Sequence, residues 1–184
     1  MSPRVQPADD RRPRRCGAAT SFAAGLLALG LAACAHYQLG TGGKLTFTTI
    51  YVAPVQNRAP APQAEILVAA AIREALLRDG RVTLVDSPGA ADVTLRVDLT
   101  GYDREMAAAN PADTGLALKF ALHLHASCTL TDNRSHQALF SKRDITVTKD
   151  AFTVSGQLQA EYQTLPLLAD ALADRVAHAV LDVW

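Results

Sequence analysis

Two histidines stand out in this 184-residue chain because their spacing could support metal chemistry. His123 and His125 are two positions apart, and on a β-strand such a pair points to one face, where both imidazoles could bind one ion. Zinc usually takes three or four protein ligands, and no third ligand is evident nearby in the sequence. We therefore expect solvated or partner-facing histidines, with a metal-binding pair as the alternative.

A second group of titratable residues lies near the C-terminus. Asp170, Asp174 and His178 follow at intervals of four, so on a helix they would share a face. They could bind a cation, but a pairing of Asp174 with His178 is the more ordinary arrangement. No Gly-x-Ser-x-Gly nucleophile motif occurs in the sequence. We therefore expect a protein that is not an enzyme, with no catalytic residues, no metal and no cofactor.

The chain has three cysteines, Cys16, Cys34 and Cys128. Cys128 alternates with leucines in a strand-like run, so we expect it in the core, where a thiol behaves as a small apolar group. Cys34 has a different setting, because it ends the run Leu31-Ala32-Ala33-Cys34. That run resembles the lipobox of bacterial lipoproteins, in which the cysteine is lipidated and the chain is cut just before it.

The residues before Cys34 support this interpretation. An arginine cluster at 11–15 precedes an uncharged stretch, 17–33, that is rich in Ala, Leu and Gly. The order is typical of a secretory signal peptide, and the apolar stretch is shorter than the roughly 20 residues that span a membrane. We expect residues 1–33 to be a cleaved signal peptide and Cys34 to carry lipid, including palmitate. An ordinary signal peptide with an incidental cysteine is the alternative.

Residues 34–44 predict a flexible tether. They include Gly40-Thr41-Gly42-Gly43, and no Lys-Ser or Lys-Thr pair with a following helix makes this run a phosphate-binding loop. Removal of the leader takes five arginines and two aspartates from a chain with 18 basic and 18 acidic residues. The slightly acidic remainder argues against a nucleic-acid partner.

Residues 45–184 predict a single domain with two helices. The first, 64–79, has apolar residues at helical spacing and is followed by Gly80, a typical left-handed C-cap. The second is expected to begin at Thr164 as N-cap, with Pro166 in its first turn. Its apolar positions repeat every four residues at Leu168, Leu172, Val176, Val180 and Trp184.

Alternating apolar and polar residues predict the strands. These cover residues 45–52, 82–85, 93–100, 116–130 and 138–149. The segment Met106 to Thr114, with its Asn-Pro pair, predicts a loop, and the adjacent apolar residues Leu139 and Phe140 predict a bulge or a partly covered second face. The fold class is therefore α+β, a two-layer α/β sandwich of a mostly antiparallel sheet with both helices on one face.

Four basic residues are the candidate contacts to a glycolipid or a partner. They fall on the last hairpin and the neighbouring long strand: Lys119, Arg134, Lys142 and Arg143. Such side chains could meet the phosphates of an anionic glycolipid. A scattered, solvated edge is the alternative, because exposed charges also discourage pairing between strand edges.

Several short motifs carry a family resemblance across residues 34–184. In chain order they are Tyr37-Gln38-Leu39 after the lipobox, Ile50-Tyr51-Val52-Ala53-Pro54-Val55-Gln56-Asn57-Arg58, Ala91-Asp92-Val93-Thr94-Leu95, Thr100-Gly101-Tyr102 and Leu130-Thr131-Asp132. Together they resemble the LptE family of lipopolysaccharide-assembly lipoproteins. The resemblance implies a non-enzymatic protein that plugs the LptD β-barrel, supports its assembly and assists lipopolysaccharide transport to the cell surface.

A second functional class fits the same build, namely an envelope lipoprotein that activates a peptidoglycan synthase or assists another secretion channel. Such proteins often carry a long linker after the lipid site. Here only about ten residues, a reach of at most ~35 Å, separate Cys34 from the predicted first strand. The short tether favours a partner at the membrane. Ala35 replaces the Asp associated with inner-membrane retention, so we expect a periplasm-facing anchor in the outer membrane of a Gram-negative envelope.

Overall fold

A computed structural model describes residues 45–61, 63–110 and 113–182. The predicted signal peptide, Cys34 and the predicted tether lie outside the described residues. The described strands are β1 (Thr49–Val52), β2 (Gln56–Asn57), β3 (Thr83–Leu84), β4 (Val93–Asn110), β5 (Asp113–Asp132) and β6 (Ala138–Phe152). The helices in this part of the chain are α1 (Ala64–Asp79) and α2 (Gln157–Leu181).

The strands form one mixed sheet in the order β3-β1-β4-β5-β6, with β2 beside β4. β1 is parallel to β3 and to β4, because the chain passes through α1 before it returns as β3. β4, β5 and β6 are long and antiparallel, as expected of strands joined by hairpins. The predicted α+β class is confirmed.

Both helices pack on one face of the sheet, which we call the covered face. The sheet residues on this face alternate with polar ones and are fully buried: Leu95, Leu99, Leu122, Leu124 and Leu130. Cys128 belongs to the same set and is 0% exposed, which confirms its predicted place in the core. Burial raises the pKa of its thiol to about 12, so the group stays protonated.

The opposite side, which we call the open face, is not covered by any described helix or strand. It consists of the alternate residues of the same strands, among them Arg96, Asp98, Thr100, His123, His125, Ser127, Thr146 and Thr148. Their side chains are partly or largely exposed. One-sided burial explains the clean alternation of β4 and β5 in the sequence.

α1 has the bounds that the sequence predicts, and Gly80 ends it with a left-handed φ of 76°. The predicted start of α2 is wrong, because the helix begins at Gln157, seven residues before Thr164. Thr164 is buried, and its Oγ1 donates to the Ala160 carbonyl at 2.7 Å, so its hydroxyl is satisfied inside the helix. Pro166 lies within the helix. The predicted apolar face is confirmed at Leu168, Leu172, Val176 and Val180, which are all buried, whereas Trp184 lies outside the described residues.

The predicted loop from Met106 to Thr114 is also wrong over most of its length. β4 continues to Asn110, β5 starts at Asp113, and these two residues pair. Backbone hydrogen bonds to β5 hold the alanine-rich end of β4 in a strand although its side chains show no alternation. The predicted bulge at Leu139 and Phe140 is confirmed: Leu130 pairs with Phe140 and Thr131 with Ala138, so Leu139 is an extra residue in β6. A second irregularity follows directly, where Ser141 and Lys142 together oppose Thr129.

Candidate functional site

The histidine pair lies on the open face and is held by β6. Nδ1 of His123 is 2.9 Å from Oγ1 of Thr148, and Nδ1 of His125 is 2.9 Å from Oγ1 of Thr146. The two rings are stacked, with centroids 6.5 Å apart and planes inclined by 22°. No cluster of three or more potential metal ligands occurs among the residues that the structure describes. The pair is thus arranged for hydrogen bonding on a polar surface.

His125 has the more restricted position of the two. Its ring lies over Gly101, where a Cβ atom would come within 3.2 Å of the ring carbon Cδ2. Its Nε2 is 3.2 Å from Oδ2 of Asp103 on β4. Glycine at position 101 therefore makes room for an imidazole that is fixed between β4 and β6, in the middle of the open face.

The titratable residues of α2 form ion pairs with other residues of the fold. Oδ1 of Asp174 lies 3.5 Å from Nη2 of Arg78 on α1, and Nδ1 of His178 lies 3.6 Å from Oδ2 of Asp182. Asp174 thus pairs with α1, and His178 pairs with a residue one turn further along the chain. The predicted pair of Asp174 with His178 is not the arrangement found.

Asp92 organises the end of the sheet where β1 begins, which we call the β1 end. Its Oδ2 accepts hydrogen bonds from the backbone N–H groups of Thr48 and Thr49 and from the Thr48 hydroxyl, at 3.0, 3.0 and 3.1 Å. Its Oδ1 accepts from Arg134 Nη2 at 2.6 Å. The hydrogen bonds from the backbone, and to a smaller extent those with the threonine hydroxyls, hold the pKa of Asp92 well below its ordinary range. The segment that enters β1 is thus fastened to the start of β4.

Of the four candidate basic residues, three lie toward the β1 end. Arg134 is paired with Asp92, and Lys142 is exposed at the bulge. Arg143 stacks on Phe140 with its Cζ 4.3 Å from the ring centroid, and it donates to the Ala179 carbonyl. Arg134 and Arg143 therefore already have intramolecular partners.

Lys119 lies apart from these three. Its Nζ is 3.0 Å from Oδ2 of Asp150 and 6.0 Å from the ring centroid of Phe152. It precedes Cys128, the partner of Arg143, by nine positions on β5, or about 30 Å of strand. The four residues do not form one continuous patch, and their contact with a glycolipid or a partner stays a prediction.

Apolar side chains are exposed at the other end of the sheet, which we call the hairpin end. There the β4–β5 hairpin extends past Phe152, the last residue of β6, and α2 begins. The exposed residues are Met106, Leu116, Leu118, Phe152, Val154, Leu158 and Tyr162. Leu116 and Leu118 continue the apolar stripe of β5, but they are 58% and 41% exposed. The sequence shows the stripe without showing where the helices stop covering it.

A small cavity of about 150 Å³ opens near the hairpin end. Tyr102 of β4 forms one wall, and the other lining residues are Pro60, Ala61, Leu158, Glu161, Tyr162 and Leu165. Glu161 accepts a hydrogen bond from Arg104 Nη1 at 2.8 Å. Burial, and secondly the Glu161 charge, raise the pKa of Tyr102 to about 12, so its hydroxyl remains protonated. Sequence reasoning did not find this cavity, because its walls come from three distant segments.

In the part of the chain that the structure describes, no helix is both long and apolar enough to cross a bilayer.

Solved structures with a similar fold come from several bacteria. A protein from Xanthomonas campestris is 13% identical, with a TM-score of 0.53 over 77% of this chain and 88% of that chain. An uncharacterized lipoprotein B from Nitrosomonas europaea is 15% identical, with a TM-score of 0.51 over 79% of this chain and 88% of that chain. At these identities the likeness shows a shared fold. No curated protein matches the chain.

A family model described as LptE, lipopolysaccharide-assembly, matches residues 47–180. The match includes every described strand and nearly all of α2. It agrees with the resemblance found in the short sequence motifs. The chain therefore belongs to the LptE family, a family of envelope-associated, non-enzymatic lipoproteins that act in lipopolysaccharide assembly.

Proposed function

We propose that this protein is an outer-membrane lipoprotein that plugs an LptD-like β-barrel, supports its assembly and so assists lipopolysaccharide transport to the cell surface. The family match over residues 47–180 is the observation that carries the proposal. The alternative that the sequence left open, an envelope lipoprotein that activates a peptidoglycan synthase or assists another secretion channel, has no such family match behind it.

The open face is the physical feature that suits a plug. The interior of a large membrane barrel is polar and wet, so a protein inside it needs polar surface without charges that are buried and unpaired. Thr146, Thr148, His123 and His125 supply hydroxyl and imidazole groups that already bond to one another. Such a surface can exchange hydrogen bonds with a polar, hydrated wall, and the charged side chains on the same face, such as Arg96 and Asp103, can stay in contact with water there.

The anchor completes the proposal. Residues 1–33 are removed, Cys34 carries the lipid, residues 34–44 form the tether and residues 45–184 form the single LptE-like domain. Several acyl chains, at ~0.8 kcal/mol per buried methylene, hold the protein firmly to the membrane. Asp92 binds the residues that enter β1, so the chain enters the domain at the β1 end. Lys142, Arg134 and Arg143 lie toward that end, where they would face anionic glycolipid phosphates, and Lys119 would make a separate contact.

Co-purification tests the partnership. The full-length protein, tagged at its C-terminus, is expressed in a Gram-negative host with the barrel encoded by the same genome and extracted in a mild detergent. We expect a large β-barrel to co-purify in stoichiometric amounts. A Cys34→Ser variant should remain unlipidated, as mass spectrometry of its N-terminus would show, and serves as the control for anchoring. The absence of any large barrel from the wild-type preparation would contradict the proposal.

A further inference from the structure

Within the described residues, one side of β4 carries an edge that pairs with no other strand. β1 and β2 pair with β4 only at residues 93–95 and 98–99, and the last backbone bond on that side runs from Arg58 N–H to the Leu99 carbonyl. Beyond it, Pro60 has no N–H to donate, and Pro60 and Ala61 line the cavity beside Tyr102 without forming a strand. Among the described segments, no strand lies beside Gly101–Met106 on this side.

The unpaired edge is regular and correctly oriented for pairing. All six residues of Gly101–Met106 pair one-to-one with β5. The pairing is irregular only on either side of this stretch, between Leu99 and Gly101 and between Met106 and Ala108. The Leu95 and Leu99 carbonyls accept from Ala53 and Arg58, so covered-face residues of β4 direct their backbone groups away from β5.

The alternation of an antiparallel ladder extends this orientation past the bulge. Leu99 pairs with Ala126, and the next covered-face pair is Tyr102 with Leu124. Tyr102, Arg104 and Met106 therefore also direct their N–H and C=O groups outward. Six residues is the usual length of a strand, and an edge of this kind is a template for another strand.

The two faces of this edge differ in chemistry. On the covered face, the apolar cavity lies beside Tyr102, with Leu158 and Tyr162 exposed at its rim. On the open face, Asp103 and Glu105 present exposed carboxylates, and the Asp103 side chain is 72% exposed. An added strand would place alternate side chains on these two faces, because the side-chain period of a strand is two.

We propose that the Gly101–Met106 edge accepts an extended segment of the barrel partner as an additional strand. Its apolar side chains face the cavity beside Tyr102, and its basic side chains face Asp103 and Glu105. This inference rests on the proposed function, since the barrel supplies the segment. Backbone bonds provide the affinity, while the cavity and the carboxylates select the sequence.

Two other occupants fit the edge less well. In a second copy of this chain, an antiparallel β4–β4 pairing would set Asp103 and Glu105 against the same carboxylates, and like charges opposite each other destabilise a sheet. The predicted tether, residues 34–44, has one basic residue, Lys44, and three glycines, so it lacks the alternation of apolar and basic side chains.

A proline substitution with a matched control tests the inference. Arg104→Pro and Arg104→Ala both remove the ion pair with Glu161, but only proline removes the outward N–H and obstructs an added strand. Each full-length variant is co-expressed with the barrel and purified in mild detergent. We expect Arg104→Ala to retain the barrel and Arg104→Pro to retain at least about tenfold less, as loss of strand pairing requires.

Amide hydrogen exchange gives a second readout that does not depend on the proline variant folding. In the wild-type complex, the N–H groups of Tyr102, Arg104 and Met106 should exchange at least about tenfold more slowly than in the free protein. If the barrel binds both variants equally and these amides stay unprotected, the added strand is wrong while the proposed function stands. If these amides are protected in the free full-length chain, the edge is occupied by the chain itself or by a second copy, and the inference is overturned. If the wild type captures no barrel, the proposed function fails and the inference fails with it.

Discussion

Adjacent leucines on α2 allow a direct test of how this helix lies on the sheet. Leu168 is 0% exposed in the core, and its neighbour Leu167 is 53% exposed. Leu168→Ala removes apolar contacts and leaves a cavity, which costs about 3 kcal/mol of unfolding free energy. For a domain of this size that corresponds to a decrease in Tm of roughly 6–12 °C. Leu167→Ala makes the same chemical change on the same helix but should alter stability by less than about 0.5 kcal/mol.

The assay is urea or thermal unfolding of both variants, followed by circular dichroism. The helix propensity of the new alanine is the same at both positions, so the difference between the variants reports burial alone. Equal losses, or a larger loss at Leu167, would show that α2 presents a different face to the sheet. In that case the covered face as described here would be wrong.

Three further predictions concern stability and reactivity. Because the pKa of Asp92 is lowered below its ordinary 3.8, its contribution to stability is present above that pH and is lost as the pH falls. Asp92→Asn should therefore lower Tm at pH 7 and flatten the dependence of Tm on pH between about 5 and 2. An unchanged dependence of Tm on pH would argue against the bonds to Thr48. Cys128, with its raised pKa, should resist alkylation at pH 8 in the native state and react at once in denaturant, as a thiol assay can show. Lys142 has a left-handed φ of 50°, and glycine adopts this conformation without a Cβ penalty while keeping the N–H that bonds to Thr129. Lys142→Gly should therefore raise the unfolding free energy, measured by urea unfolding, by about 0.5–1 kcal/mol, and a loss of stability would contradict this.

Much of the fold follows from local pattern. The bounds of α1 are visible in the sequence because a helical apolar period ends at a glycine suited to a left-handed cap. The covered face of β5 is visible because strict alternation results from burial on one side only. The bulge in β6 is indicated by two consecutive apolar residues, Leu139 and Phe140.

The wrong predictions of the start of α2 and of the loop at 106–114 also have physical causes. Thr164 and Pro166 are residue types that are favoured at the first positions of a helix, so they predict a start there. Tertiary packing extends α2 back to Gln157. The end of β4 is held by its pairing with β5. This pairing uses backbone groups, so an alanine-rich sequence shows no pattern that would predict it. The free edge at Gly101–Met106 depends on which strands are neighbours and on where β2 ends. Neither is encoded locally, so the edge could be recognised only in the folded protein.

The central claim, a role in delivering lipopolysaccharide, is tested most directly by depletion. Expression of this protein is shut off in its own host, and newly made lipopolysaccharide is followed at the cell surface alongside incorporation of peptidoglycan precursors. We expect surface lipopolysaccharide to fall first, with newly made molecules accumulating inside the envelope, and wild-type protein from a plasmid to restore delivery. Normal delivery of lipopolysaccharide together with an early defect in cell-wall synthesis would contradict the claim.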